Sequence, residues 1–412
     1  MRCLKRLLLS WALGLPLFAG GHAAEWGAGL TRAERVQLEK DSYHLNARAR
    51  RLYGEGKYAE ATRLLERTLG MLQRLYPEKE YPRGHPGLAN SLNNLALVLE
   101  AQGQYGKALG YYERALGMWQ RLYSEKEYPR GHPHLAASLN NLAAFLQAQG
   151  QYDKARGYCE QALVMRQRMY PEKEYPRGHL HLARSLDNLA ALFNAQGQYS
   201  KALGYSEQAL AMYQRLYPEK EYPRGHPDLA ISLNNLGSVL QAQGRCGKAL
   251  GYSERALAMM QKLYPEKEFS RGHPDLAKSL SNLGFLLTAQ AQYGKALGYC
   301  QQALAMRQRL YPEKEYPRGH PDLAISLNNL AQLFRAQGQY GKALGYFERA
   351  LAMMQRLYPE KEFPRGHPDV ATSASNLAAL FDHQGQYAQA LSYHERALAM
   401  RQRLYPEKEY PR

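Results

Sequence analysis

The tripeptide RGH occurs seven times in this chain, and its glycine recurs at a constant interval of 47 residues. These glycines are Gly84, Gly131, Gly178, Gly225, Gly272, Gly319 and Gly366. A fixed period without insertions indicates that each unit is one supersecondary element stacked on its neighbours. The 412 residues would otherwise suggest about two to four globular domains. The repeat instead predicts a continuous array.

Each unit contains two stretches with helical periodicity. In the unit that begins near residue 324, Leu327, Leu330 and Phe334 share one helix face. After a turn that contains Gly338, the same spacing continues over residues 340–351. The pattern predicts an all-α fold of eight helical hairpins. They begin near residues 42, 89, 136, 183, 230, 277, 324 and 371.

Several residues mark the ends and contacts of these helices. Pro321 suits the first helical position, where its missing N–H costs nothing, and Asp322 complements the helix dipole. Small residues at one core position, such as Gly237 and Gly284, would let the two helices of a hairpin approach closely. The first hairpin has Arg48 where the other hairpins have leucine, so we interpret it as an N-terminal cap.

The first residues are typical of an export signal. Three basic residues precede an apolar run over residues 7–19, and small residues follow near Ala23. The apolar run is too short to span a bilayer comfortably. We therefore expect a signal peptide over residues 1–23, a lead-in segment over 24–41 and the repeat array over 42–412. The expected location is the periplasm or the extracellular space.

The cysteines and charges narrow the possible functions. The expected mature chain keeps Cys159, Cys246 and Cys300, an odd number that favours small core fillers over a disulfide framework. The formal net charge of +17 accrues at about two positive charges per repeat, which is typical of a solvated surface more than of a nucleic-acid groove. No catalytic arrangement or metal-ligand set stands out, and we expect no cofactor and no metal.

The order of residues that recurs from unit to unit resembles a known repeat. Its positions are Leu330, Ala331, Phe334, Gly338, Tyr340, Ala343, Phe347 and Ala350. This order resembles the tetratricopeptide repeat, and the longer phrase resembles the repeats of kinesin light chain and of bacterial arrays. The likeness covers about residues 42–412. It implies an α-solenoid, a right-handed superhelix whose concave wall binds proteins or unstructured peptides.

One asparagine recurs in the first helix of seven units. These residues are Asn94, Asn141, Asn188, Asn235, Asn282, Asn329 and Asn376. One interpretation is a ligand ladder, since an amide offers both a donor and an acceptor to a peptide backbone. The resemblance implies such a ladder on the concave wall. The alternatives are a structural role in stacking the hairpins and simple duplication.

The position before each ladder asparagine is also polar, and most of its residues join the candidate peptide-binding set. The candidates here are Asn93, Asn140, Asp187, Asn234 and Asn328. One turn further on, the residues vary between units, and that variation would tune specificity or reflect drift. We expect the first helices to bind a partner through both columns.

The connector, most often YPEKEYPRGHP, hardly varies. Its tyrosine, arginine and histidine could bind an anionic or aromatic partner. Alternatively, the aromatic rings fill the gap between hairpins, or recent duplication has kept the segment unchanged. A further oddity is a glycine inside each of six second helices, such as Gly345, which close packing or copying would explain.

Together these features predict a non-catalytic scaffold that binds an extended peptide or a partner protein. We expect no nucleic-acid ligand and no stable membrane insertion after signal removal. Two alternatives remain open. The array could be the recognition arm of a longer signalling or protease protein, or a basic module that adheres to anionic envelope polymers and responds steeply to salt.

Overall fold

A computed structural model describes residues 29–406, which form sixteen α-helices and no strand. The helices are α1 Arg32–Gly54, α2 Tyr58–Leu75, α3 Pro86–Ala101, α4 Tyr105–Leu122, α5 Pro133–Ala148, α6 Tyr152–Met169, α7 Leu180–Ala195, α8 Tyr199–Leu216, α9 Pro227–Ala242, α10 Cys246–Leu263, α11 Pro274–Ala289, α12 Tyr293–Leu310, α13 Pro321–Ala336, α14 Tyr340–Leu357, α15 Pro368–His383 and α16 Tyr387–Leu404. The expected signal peptide lies outside the described residues. Helix α1 includes part of the expected lead-in segment.

Consecutive helices pair as eight hairpins, so the predicted all-α array with a 47-residue period is confirmed. The chain divides into two compact units, Met1–Tyr175 and Pro176–Arg412. The first unit holds α1–α6 and the second holds α7–α16. Within each unit, the second helix of a hairpin packs against the first helix of the next. Each unit is therefore a stack of hairpins.

A histidine caps seven of the eight first helices. In α9, His226 is the N-cap, and its Nδ1 accepts a hydrogen bond from the Asp228 backbone N–H at 3.2 Å. Pro227 occupies the first helical position, as the sequence predicted. The cap satisfies one of the donors that a helix start leaves unpaired. The sequence analysis identified the proline and overlooked the histidine.

The small residues on the first helices allow close contact within a hairpin. A Cβ on Gly237 would lie 2.8 Å from the Ser253 Oγ, and a Cβ on Gly284 would lie 2.6 Å from the Cys300 Sγ. This arrangement confirms the predicted close approach. Cys159 and Cys300 are buried, and all three described cysteines are free thiols. The expectation that they are core fillers holds for these two, whereas Cys246 is only partly buried.

The core is shared between neighbouring hairpins. One cluster joins Leu257 of α10, Leu276 and Leu280 of α11, and Leu333 of α13. A single hairpin has no second layer on which to bury these leucines. Burial of apolar area, at about 25 cal/mol per Å², therefore stabilises the stack and not the isolated hairpin.

Aromatic rings of the connectors pack against the histidine caps. The Tyr217 ring stacks on His226 with centroids 3.6 Å apart, and Tyr222 meets the same histidine edge-on at 5.8 Å. The stack recurs in the pairs Tyr76–His85, Tyr123–His132, Tyr264–His273, Tyr311–His320 and Tyr358–His367. These contacts give the tyrosine and histidine of the connector a packing role.

Exposed ion pairs link each connector to the next. Arg224 lies 3.0 Å from Glu268 of the following connector. The equivalent pairs are Arg83–Glu127, Arg130–Glu174, Arg177–Glu221, Arg271–Glu315 and Arg318–Glu362. These arginines are already paired with carboxylates, so they are poorly placed to hold a separate anion.

Candidate functional site

The predicted asparagine ladder lies on the first helices. In the second unit, α7 contacts α9, α9 contacts α11, and α11 contacts α13. We use the term first-helix face for the surface of α7, α9, α11, α13 and α15. Asn235, Asn282, Asn329 and Asn376 are half-buried on these helices, whereas Asn188 is buried. In the first unit, Asn94 and Asn141 are also half-buried.

One ladder asparagine bonds to the preceding hairpin. The Asn141 Nδ2 donates to the Asn93 Oδ1 at 3.0 Å. This bond joins the ladder residue of the third hairpin to the residue just before the ladder position in the second hairpin. In the second unit, Asn235 lies close enough to Asp187 to lower the pKa of that carboxyl. At Asn141 the structure contains the stacking contact that the sequence left as an alternative.

Three other ladder asparagines lack such a bond. Within residues 29–406, the side chains of Asn282, Asn329 and Asn376 form no hydrogen bond to protein groups. Each is half-buried, so each presents both a donor and an acceptor at a partly sheltered surface. These three amides are available for a ligand.

The residues just before the ladder asparagines are, as a group, more deeply buried than the ladder itself. Asn140, Asp187 and Asn234 are buried, and Asn93 and Asn328 are half-buried. Asn234 Nδ2 donates to the buried Ser279 Oγ of the next hairpin at 3.0 Å. Because Asn140, Asp187 and Asn234 are buried, they are less accessible to a ligand than the ladder.

A column of second-helix residues faces these buried groups, and the sequence analysis overlooked it. In the amide orientation that places the Asn140 oxygen toward the Arg166 guanidinium, Asn140 accepts a hydrogen bond from Arg166 at 2.6 Å. Arg307 donates to the Ser326 Oγ at 2.6 Å. Both arginines are almost fully buried. The available signal was that this register varies among Trp, Arg, Tyr and Met from the second hairpin onward, whereas the residue four positions earlier is always alanine.

Asp187 is the one carboxylate in its column. Burial raises the pKa of Asp187 to about 7, and the nearby Asn235 and Tyr213 side chains partly offset that rise. Nearby, Arg184 forms a partly buried ion pair with Asp228 at 3.3 Å. Asp187 therefore belongs to a polar network between the fourth and fifth hairpins.

One large apolar side chain is exposed beside the unpaired amides. Phe285 is 52% exposed and lies one turn after Asn282 on α11. The same register is occupied by Leu97, Ala144, Ala191, Ser238, Gln332 and Ala379. On the next first helix, Arg335 is half-buried and has no ion-pair partner among the described residues. This part of the face combines an aromatic ring, free amides and a cation.

The described residues contain neither a metal-ligand cluster nor a membrane-spanning helix. Within residues 29–406, no cluster of three or more His, Cys, Asp or Glu residues is arranged to hold a metal ion. The described helices include none that is long and apolar enough to cross a membrane.

Comparisons with known proteins identify the repeat. Two tetratricopeptide repeat models match the chain, one over residues 134–215 and 275–356, the other over 43–87, 88–134, 229–275 and 370–408. No curated protein sequence matches it.

Several solved structures are similar to this chain at low sequence identity. A Rap protein complexed with Competence and Sporulation Factor is 13% identical, with 90% of this chain and 99% of that chain covered and a TM-score of 0.52. Aspartyl phosphate phosphatase F from Bacillus subtilis is 14% identical, with 93% and 97% covered and a TM-score of 0.52. Kinesin light chain TPR-like repeats from Podosopora anserina are 24% identical, with 56% and 97% covered and a TM-score of 0.43.

At these identities the structural likeness concerns the fold alone. The repeat models, by contrast, match well over half of the sequence, and their matched segments follow the hairpins one after another. The chain belongs to the tetratricopeptide repeat family.

Proposed function

We propose that this protein is a non-catalytic scaffold that binds an extended segment of a partner protein along the first-helix face. The observation that supports this function best is the set of half-buried amides of Asn282, Asn329 and Asn376, which have no protein partner in the described chain. Tetratricopeptide repeats generally act in protein interactions, and the similar Rap protein was solved with Competence and Sporulation Factor bound.

The chemistry of the face suits an extended chain. An asparagine amide can donate to a backbone carbonyl and accept from a backbone N–H, so a row of amides binds a peptide independently of its sequence. Phe285 would add specificity, because exposed aromatic side chains are frequent anchors at interfaces. Arg335 would favour an acidic residue in the same segment.

The test is peptide-library binding to the full chain and to the triple variant Asn282→Ala/Asn329→Ala/Asn376→Ala. We expect the variant to stay folded, because these amides bond to no protein group, and to lose at least tenfold in affinity. Unchanged affinity in a folded variant would show that the amides do not bind the ligand.

Two controls separate binding from stability. Asn141→Ala removes a bond between hairpins, so we expect lower stability and little change in affinity if its own amide contributes only to stacking. Phe285→Ala should weaken binding, whereas Leu398→Ala, at an exposed leucine of the last helix, should not. A loss of affinity with Leu398→Ala alone would place the ligand elsewhere.

A second candidate function is adhesion to an anionic polymer. Six exposed lysines lie in the first turn of successive second helices, where the helix dipole disfavours a positive charge. They are Lys107, Lys154, Lys201, Lys248, Lys295 and Lys342. Binding by these lysines would fall steeply with salt and would not respond to the asparagine variants.

We also propose that the protein is exported and that residues 1–23 are removed. The basic start, the short apolar run and the small residues near Ala23 support this proposal. The mass of the N-terminal peptide from the protein expressed with its own leader tests it. A mature chain that retains Met1 would contradict it.

A further inference from the structure

An open cleft lies between the first and second hairpins of the first unit. Its volume is about 470 Å³, within the range of small-molecule sites. The side chains that define its chemistry are Thr62, Glu66, Leu99, Lys107, Tyr111 and Arg114. Most of them belong to α2 and α4, which are second helices. The cleft is therefore separate from the ladder, which lies on first helices.

The cleft contains a departure from the repeat at Thr62. The same register is occupied by Leu109, Arg156, Leu203, Leu250, Leu297, Leu344 and Leu391. Threonine is shorter than leucine, so it fills less of the space between α2 and α4. The Thr62 side chain is 8% exposed, and its hydroxyl has no hydrogen-bond partner among the described residues. The hydroxyl oxygen itself is buried, so the effect of Thr62 on the cleft comes from its small volume.

Gly110 lines one wall of the cleft and adds no side chain to it. It lies inside α4, where glycine is less favourable than alanine. A Cβ at Gly110 would meet nothing within 4 Å, and the same holds for Gly345 and the other glycines of this register. Close packing against a neighbouring hairpin is therefore the wrong explanation for these glycines. At Gly110, the missing side chain leaves the cleft open.

The charges of the cleft favour an anion. Lys107 and Arg114 have no carboxylate within ion-pair distance in the described residues, and Glu66 is the one acid among the lining side chains. The Arg114 guanidinium lies 5.3 Å from the centre of the Tyr111 ring. Leu99 and Tyr111 supply apolar surface beside these cations. The lining thus offers two positive groups next to an apolar wall.

We propose that this cleft is a second binding site that takes a small amphipathic anion, an aromatic or aliphatic carboxylate. Lys107 and Arg114 bind the carboxylate, and Leu99 and Tyr111 contact the apolar body. Thr62 makes the space, because it is shorter than the leucine of most sister hairpins. Charge and apolar contact are both needed, because an exposed ion pair alone contributes little.

The experiment uses phenylacetate as the probe and phenylacetamide, its neutral counterpart, as the control ligand. Both are titrated into the full chain and followed by ligand-observed NMR at low and high salt. We expect saturable binding of phenylacetate that weakens with salt, and at least fivefold weaker binding of phenylacetamide. No saturable binding of phenylacetate, or equal binding of the two ligands, overturns the proposal.

Variants test the position of the site. Thr62→Leu restores the residue of the sister hairpins and fills the cleft, so we expect at least a tenfold loss of phenylacetate binding in a folded protein. Lys107→Gln, at an exposed side chain, should weaken binding at least threefold, whereas Lys201→Gln in the fourth hairpin should not. If Lys107→Gln and Lys201→Gln behave alike, the cleft is not the site, whether or not Thr62→Leu folds.

Gly110→Ala and Gly204→Ala form a second matched pair. Both replace a helical glycine with open space around it, so both should stabilise the protein to a similar extent. Only Gly110→Ala adds a methyl group to the cleft and should weaken binding of phenylacetate. Equal effects of the two variants on binding would contradict the proposal.

Discussion

Gly225 lies directly against Met259: a Cβ built on Gly225 would come within 2.5 Å of the Met259 Cγ and 2.7 Å of its Sδ. The φ angle of Gly225 is +85°, in the region that disfavours residues with a Cβ. The contact joins the connector before α9 to the second helix of the same hairpin. It recurs as Gly84–Met118, Gly131–Met165, Gly178–Met212, Gly272–Met306, Gly319–Met353 and Gly366–Met400.

This contact predicts that Gly225→Ala is destabilising. The alanine would adopt a strained backbone conformation and displace Met259, which together should cost about 1 to 3 kcal/mol. The matched control is Gly251→Ala inside α10, where a Cβ meets nothing within 4 Å and should stabilise by up to about 1 kcal/mol. Urea unfolding followed by circular dichroism measures both. Equal stability of the two variants would show that the glycine–methionine contact does not hold the connector.

The periodic pattern was sufficient to predict the hairpins, because each unit repeats the same local signals and packs on a copy of itself. It predicted the start of α13 at Pro321, for example. The long first helix was overlooked although its signal is present. Thr31 and Glu34 form a capping box, in which the Glu34 N–H donates to the Thr31 Oγ1 at 3.2 Å and the Thr31 N–H donates to Glu34 at 2.7 Å. That cap lets α1 begin at Arg32.

The side-chain partners within the site could not be read from the pattern. Asn141 and Asn282 occupy the same register, yet Asn141 donates to Asn93 of the preceding hairpin whereas the Asn282 side chain bonds to no group of the described residues. The difference depends on residues about 47 positions earlier in the chain and on how the helices meet. The exposure of Phe285 likewise depends on its neighbours in space. The binding role of the ladder and of the preceding column stays a prediction.

Asp187 should make stability depend on pH. Burial raises its folded-state pKa from 3.8 to about 7, so between these values the folded state binds a proton that the unfolded state has released. Stability therefore falls as pH rises from about 4 to 7 and levels off above that. From pH 5 to pH 8, the loss from this one group should be about 2 to 3 kcal/mol.

The control is Asp187→Asn, which introduces the residue found at Asn140 and Asn234. Asparagine does not titrate, so the difference in unfolding free energy between variant and wild type should grow from pH 5 to pH 8. Arg184, Tyr213 and Asp228 surround the group and remain in both proteins. A difference that does not change with pH would mean that Asp187 stays ionised over this range.

The histidine caps should make stability depend on pH in the opposite direction to Asp187. Burial lowers the pKa of His85 from 6.5 to about 4, and its Nδ1 accepts the Gly87 N–H at 3.1 Å while its ring stacks on Tyr76. As pH falls from about 6.5 to 4, the unfolded state gains a proton before the folded state does, so stability is lost. At pH 5 the loss from His85 should be on the order of 1 kcal/mol after allowing for solvent screening of the partly exposed ring.

His85→Asn isolates this effect, because asparagine is also a good N-cap but does not titrate in this range. At pH 7 the variant should be slightly less stable, since the stack on Tyr76 is lost. Between pH 7 and pH 5 it should lose less stability than wild type, by about 1 kcal/mol. Thermal unfolding at the two pH values provides the comparison. Parallel losses in both proteins would exclude His85 as a source of acid sensitivity.

Arg307 places a charge inside the stack of hairpins, so its substitutions test how a buried charge affects stability. Its side chain is 4% exposed and donates to the buried Ser326 Oγ at 2.6 Å, whereas the equivalent residues Met260 and Met354 are apolar. Moving a guanidinium out of water is costly, and the contacts of a buried charge often return only part of that cost. Arg307→Met should therefore be neutral or stabilising by about 1 kcal/mol, even though Ser326 loses a partner. Arg307→Ala leaves a cavity and should destabilise by about 2 to 4 kcal/mol. If Arg307→Met destabilises as much as Arg307→Ala, the guanidinium and not the volume of the side chain stabilises the sixth and seventh hairpins.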